Sequence, residues 1–299
     1  MYPTTIGVDL AKNVFQVHGI DAAGTVVIRK KLRRSEVKPF FAKFPSCLVG
    51  MEACGTAHHW GRELTEVGHE VRLMPAAYVK PYIKRGKNDA ADAEALCEAM
   101  SRPTMRFVPV KSAEQQAALM LVGMRERAVA ARTQLANTIR GYAAEFGLTA
   151  AKGVFHIPHL LERIMADENV PALARDLFAS LADEFAQLRE RLKEIEARLL
   201  TWYRSNECCR RLATIPGVGP IGAVLLVMKA PAPEQFASGR QFAAWMGLTP
   251  RDHSTAGKVR LGVITRAGDE ALRKTLVVGA TSLLRQVRAG RGRNASPWL

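Results

Sequence analysis

Acidic residues are scarce in this chain, paired cysteines are missing, and no long apolar run occurs. The five cysteines, Cys47, Cys54, Cys97, Cys208 and Cys209, form neither a C-x-x-C pair nor a disulfide-like array. That excludes a zinc ribbon and a stapled secreted fold, and predicts reduced, mostly buried thiols. His58-His59 and His156-x-x-His159 lack partner ligands at zinc spacing and read as structural or surface residues. No stretch approaches the roughly 18 to 20 apolar residues that span a bilayer. The opening MYPTTIGVDLAK shows no basic leader before an apolar run. The expectation is a cytoplasmic protein without membrane attachment.

Against 28 Asp and Glu stand 43 Lys and Arg, a formal net charge of +15. The excess is uneven: Thr201 to Leu299 carry 15 basic and 5 acidic residues. Such a surface favours a polyanion, and the C-terminal third is where nucleic acid is expected. With 299 residues, 48% of them apolar, the chain can bury more than one core.

The apolar runs Thr4 to Leu10, Val14 to Ile20 and Thr25 to Leu32, with a turn signal at Asp21 to Gly24, predict three antiparallel strands. A helix from Ser35 to Phe44, a buried strand Cys47 to Met51, a helix Ala57 to Val67 and a strand Glu70 to Met74 should follow. A meander followed by alternating helices and strands describes an RNase H-like α/β domain better than a doubly wound nucleotide fold. Ser112 to Phe146 is Ala-rich with apolar residues at helical spacing and reads as one long helix. Further on, Leu181, Phe185, Leu188, Leu192, Ile195, Leu199 and Trp202 recur at alternating steps of four and three. This heptad seam needs a partner helix, from another subunit or from the same chain. The organisation predicted is an α/β domain over 1–110, a helical and coiled-coil region over 111–205 that links or oligomerises, and a mainly helical domain over 206–299. Within the last, Gly217-Val218-Gly219 precedes an apolar helix, Ile221 to Met228. Its amides suit either a DNA phosphate, as in helix-hairpin-helix modules, or an ordinary tight turn.

Four carboxylates carry the chemistry. Asp9 ends the first strand, Glu52 ends the run Leu48-Val49-Gly50-Met51, and Asp89 and Asp92 lie three apart at the start of a helix. Taken singly, Asp89 reads as a cap, Asp92 as a first-turn acid and Glu52 as a strand-end residue. Taken together they predict a site for Mg²⁺, or Mn²⁺, because clustered carboxylates are costly unless a divalent cation shares them. Two such ions can stabilise both the attacking and the leaving oxygen of a phosphoryl transfer.

GVDLAK around Asp9, MEACG around Glu52 and KNDAADAEA around Asp89 and Asp92 together resemble the DEDD insertion-sequence transposases, whose first domain is similar to the junction resolvase RuvC. LATIPGVGPIGAVLL and GRQFAAWMGLTPRDHSTAGKVRLGVITRAGDEALRK resemble that family's second transposase domain, shared with the pilin-gene invertases. The resemblance covers nearly the whole chain. It implies a serine recombinase of a mobile element, guided in some members by a bridge RNA that pairs with target and donor DNA. It also implies that Ser254 is the nucleophile, with Thr255 beside it as a minor alternative and Gly common among relatives where Ala256 stands. Relatives usually continue into another Ala-rich helix beyond the equivalent of Leu299. On this reading Lys258, Arg260, Arg266, Arg273 and Lys274 neutralise phosphates, Gly217 and Gly219 offer amides, and His253 assists proton transfer. Handling four strand ends calls for a dimer at least, and a tetramer on DNA. Two other readings compete: a structure-selective nuclease that uses water and only the carboxylates, and a non-enzymatic RNA- or DNA-binding protein whose acids are structural.

Overall fold

The computed structural model describes residues 2–83 and 89–290, with the side chains of 89 and 90 outside the description. The chain divides into two compact units, Met1–Gln116 and Ala117–Leu299.

The first unit is built on a five-stranded sheet. Strands β1 (Thr5–Asp9), β2 (Val14–Ile20) and β3 (Val26–Arg33) form the expected antiparallel meander, and β4 (Leu48–Glu52) and β5 (Glu70–Met74) extend it in parallel. The order is β3-β2-β1-β4-β5. The Asp21 carboxylate closes the β2–β3 turn by accepting from the amides of Ala23 and Thr25 at 2.9 and 2.8 Å. Helices α1 (Val37–Phe41) and α2 (Ala57–Glu66) bury Phe41, Trp60 and Leu64 with Ile6, Val8, Phe15 and Leu32, forming the core of one sheet face. After β5 the chain passes through the short α3 (Ala76–Val79), and α4 (Asp89–Met100) covers the other face with Ala95, Leu96, Ala99 and Met100.

In the second unit, α5 (Ala113–Ala144, which begins just before the division), α6 (Ile157–Ala166) and α7 (Ala172–Ser205) form an α-helical stack. The heptad seam finds its partners within the chain. Phe178 and Phe185 pack with Leu135, Ile139 and Leu160, Leu192 and Ile195 with Ala128, and Leu199 with Ala118 and Val122. The pairing of late α5 with early α7, and early α5 with late α7, sets the two long helices antiparallel. An Arg125–Glu196 ion pair at 2.8 Å fixes that register. Burying each such Leu, Ile or Phe contributes roughly 1.5–3 kcal/mol, far more than the half-exposed ion pair beside them.

Helices α8 (Glu207–Leu212), α9 (Pro220–Lys229), α10 (Gly239–Trp245) and α11 (Glu270–Arg288) complete this unit around Cys209, Leu225, Met246 and Leu272. Between α10 and α11 lies a two-stranded ribbon, β6 (Pro250–Asp252) and β7 (Leu261–Ile264). All five cysteines are free, and Cys47, Cys97 and Cys209 are buried. Burial pushes the Cys47 thiol up to about 11 and that of Cys97 to about 12, which keeps both protonated and inert. Among the described residues no helix is long and apolar enough to cross a membrane.

Candidate active site

The register of the sheet brings the first two carboxylates together. Val8 pairs with Met51 between parallel strands, so Asp9 and Glu52, the next residue on each, stand side by side at the C-terminal ends of β1 and β4. Both are half-buried. Each is preceded two positions earlier by a glycine, and residues two apart on a strand share a face. Those glycines show which face it is. A Cβ on Gly7 would lie 2.2 Å from the Ala93 carbonyl oxygen and 3.1 Å from the Leu96 Cβ, and one on Gly50 would meet the Met100 side chain. Asp9 and Glu52 therefore project from the face that α4 covers.

Asp92, half-buried, sits one helical turn before Leu96 on that helix. The side chain of Asp89 lies outside the described residues. Among the described residues, the side chains of Glu52 and Asp92 have no hydrogen-bond or ion-pair partner. No group of three described His, Cys, Asp or Glu side chains gathers closely enough to hold a metal ion. What the structure brings together is thus the strand-end pair and the helix that bears Asp92. An all-oxygen donor set of half-buried carboxylates fits a hard divalent cation. His58, on α2, does not extend it. His58 accepts from the Lys111 amide at 3.2 Å, and burial, with Lys111 and Arg62 beside it, holds its pKa down to about 4.

Ser254 occupies the β6–β7 ribbon, a feature not anticipated from the sequence. Thr255 and Lys258 exchange backbone hydrogen bonds of 3.3 and 2.9 Å around a two-residue turn, in which Ala256 and Gly257 both have positive φ, 48° and 80°. That is the primed turn whose twist matches a hairpin. Ser254 is exposed just before it. Its Oγ accepts from the Arg260 amide at 3.0 Å, and its own amide donates to Asp252 Oδ1 at 2.8 Å. Hydrogen bonds from the Ser254 side chain and then its backbone hold the Asp252 carboxylate below its ordinary range. Asp252, which sequence reasoning passed over, thus fixes the serine. Alanine in the left-handed region costs about 1 kcal/mol more than glycine. Ala256→Gly should therefore tighten the turn and slow exchange of the Lys258 amide about fivefold, as read by hydrogen-exchange mass spectrometry.

The expected phosphate contacts divide. Lys258, Arg260, Arg266 and Lys274 are exposed. Arg273 is a correction: it is buried, and its Nη1 donates at 3.1 Å to the carbonyls of both Met246 and Gly268. Its cation ties the end of α10 to the segment before α11 and is not an open phosphate contact. The glycine turn divides too. Gly217, with φ of 85°, is pressed onto α11, where a Cβ on Gly279 would come within 1.9 Å of the Gly217 carbonyl oxygen. Gly219, exposed, caps α9.

Residues 6–146 match a family model for DEDD transposases of the IS110 type, and residues 209–294 match the transposase IS116/IS110/IS902 family. The chain belongs to the IS110 family of insertion-sequence transposases. A Sinorhizobium fredii chain under the transposase name y4pF/y4sB is 64% identical over 294 residues, 98% of this chain and 76% of that relative. A Pseudomonas aeruginosa protein named as a probable family 20 transposase is 50% identical over 283 residues, 94% of this chain and 84% of its own. The Coxiella burnetii transposase for insertion sequence element IS1111A is 40% identical over 286 residues, 95% and 78% of the two chains. The mixed α/β sheet of the first unit and the helical remainder are compatible with an RNase H-like DEDD transposase. An IS110-family transposase acts on DNA, which accounts for the basic excess that composition pointed to.

Proposed function

We propose that this transposase cuts and rejoins DNA through a covalent phosphoserine at Ser254, assisted by a divalent cation, Mg²⁺ or Mn²⁺, at Asp9, Glu52, Asp89 and Asp92. The observation that carries the reading is that one chain holds two built features: carboxylates side by side on adjacent strand ends, and an exposed serine held on a hairpin. Each answers a different need of the reaction. A serine hydroxyl is a weak nucleophile and must be oriented and relieved of its proton. Here the Arg260 amide occupies one Oγ lone pair and the Asp252 carboxylate holds the Ser254 amide, which leaves the other lone pair for phosphorus. As the Oγ–P bond forms, the bridging P–O bond breaks. The hydroxyl proton passes to solvent, with His253 assisting its transfer in this reading, and the released DNA oxygen takes up a proton from solvent. A cation held by the carboxylates would supply Lewis-acid stabilisation of the charge developing on the phosphate. The phosphoserine keeps the energy of the broken bond for rejoining.

Exposed Lys258, Arg260, Arg266 and Lys274, with the Gly219 amide, hold DNA backbone in this reading, without selecting bases. Selection would then fall to a bridge-type guide RNA, which the motif resemblance implies, and the +15 charge suits two nucleic-acid partners. Exchange of four strand ends requires a homodimer at least and a tetramer on DNA, which light scattering of the DNA complex would count.

The test is an SDS-resistant protein–DNA adduct assay with Mg²⁺, cognate RNA and labelled donor and target DNA. Ser254→Ala should abolish the adduct, and Thr255→Ala should retain it. Cleavage without an adduct, undiminished in Ser254→Ala, would overturn the serine mechanism in favour of hydrolysis by water.

A further inference from the structure

The strongest run of positive charge outside the serine-bearing domain lies on the edge of the sheet. Five of the seven residues Ile28 to Arg34 are basic, and β3, which carries most of them, is an outermost strand. The register sorts these cations by face. Gly7 pairs with His18 and His18 with Arg29, while Asp9 pairs with Gln16 and Gln16 with Lys31. Val14 pairs with Arg33. Residues in register share a face, so Arg29, Lys31 and Arg33 stand on the α4 side with Asp9 and Glu52. Lys30 falls on the opposite side, where its Nζ lies 5.2 Å from the centroid of the Phe40 ring.

The geometry points to a second nucleic-acid contact: Arg29, Lys31 and Arg33 form a ladder that grips the phosphate backbone of one DNA strand beside the carboxylate centre. Three observations support it. All three side chains are exposed and have no ion-pair partner among the described residues. The nearby acid Glu36 is engaged by the Arg33 amide at 2.7 Å. Their spacing, two residues along a strand or roughly 6.6 Å, is comparable to that of successive phosphates on a single strand. Lys31, moreover, lies in the same cross-strand row as Asp9, two strand spacings or roughly 10 Å away. A strand lying along β3 would have its backbone neutralised on the side from which the metal-binding carboxylates repel it. A flexible arm would serve that purpose less well, because the ladder is held by backbone pairing along the whole of β3.

The ladder deepens the DNA-transposase reading but does not depend on Ser254 chemistry, and its test is a binding measurement. Full-length protein is titrated by fluorescence anisotropy with a labelled 40-nucleotide single-stranded DNA of mixed sequence over a salt series. Replacing three phosphate contacts with neutral residues should lower the slope of log affinity against log salt by about 2, and weaken binding about tenfold or more at moderate salt. The variant is Arg29→Gln/Lys31→Gln/Arg33→Gln. Its control, Arg189→Gln/Arg191→Gln/Arg198→Gln, removes the same charge from exposed positions on α7 and should leave the slope within error of wild type. Lys30→Gln should do likewise. An unchanged slope in the ladder variant, an equal loss in the α7 control, or a loss confined to a structured RNA probe would each overturn the proposal. The salt slope reads binding and the adduct assay reads bond formation, so failure of the serine mechanism and failure of the ladder are distinguished.

Discussion

Asp9→Asn should lower metal-dependent DNA cleavage by about three orders of magnitude and leave DNA binding intact. The substitution keeps the shape of the side chain and removes one negative charge from a half-buried pair at the ends of β1 and β4. Three decades of rate correspond to about 4 kcal/mol of transition-state stabilisation, within what a Lewis acid at a phosphoryl centre supplies. Loss of activity alone would not distinguish a ligand from a fold-supporting acid, and thermal unfolding does. Wild type should gain stability as Mg²⁺ or Mn²⁺ is added, because only the folded state sets Asp9 and Glu52 side by side. Asp9→Asn should no longer respond to added metal, because it lacks one of the charged oxygens that would hold the cation. Glu52→Gln and Asp92→Asn should move the same way. An undiminished metal-dependent shift in Asp9→Asn would remove Asp9 from the ligand set. A large drop in melting temperature without metal would make it a structural acid.

The meander and the strand ends were legible in the sequence because the signals there are local. Alternating or continuous apolar residues, a turn-forming Asp21 and Gly24, and the acids that close the runs forming β1 and β4 need no tertiary information. The heptad seam was legible as a seam, but not its partner: the same apolar stripe fits a neighbouring subunit or the antiparallel α5 equally well, and only the chain path decides. The hairpin that carries Ser254 was missed because both strands are very short and nearly all exposed, so no buried face marks them. A signal was present in Ala256-Gly257, followed by Val259, Leu261 and Val263 at period two. Arg273 misled because a count of charges is blind to burial; its guanidinium serves two backbone carbonyls inside the fold. The carboxylates carried one more mark, a glycine two residues before each strand-end acid. Its meaning emerges only when α4 is seen to lie against both glycines.

That pair of glycines leads to the second large effect, in which neighbouring substitutions of the same kind should behave differently. Gly7→Ala places a methyl 2.2 Å from the Ala93 carbonyl oxygen and 3.2 Å from the Cys97 amide nitrogen, both backbone atoms of α4. Backbone in mid-helix cannot step aside alone, so the helix must move as a body, at a cost of about 3 kcal/mol. Gly50→Ala also starts from contacts near 2 Å, but with the Sδ, Cε and Cγ atoms of Met100. Methionine has three rotatable side-chain bonds and can swing away, so about 1 kcal/mol is expected there. Chemical denaturation should show the difference as a lower midpoint for Gly7→Ala at unchanged slope. The functional consequence follows from what each element carries: β1 bears Asp9 and α4 bears Asp92, so a shift of α4 off Gly7 separates the strand-end acids from the helical ones. A displacement of about 1 Å in a catalytic constellation costs on the order of a hundredfold in rate. Gly7→Ala, assayed below its unfolding transition, should lose metal-dependent cleavage by about that factor while Gly50→Ala loses little. Equal and small losses in both would mean that α4 adjusts freely over the sheet, and that the close approach at Gly7 does not set the geometry of the centre.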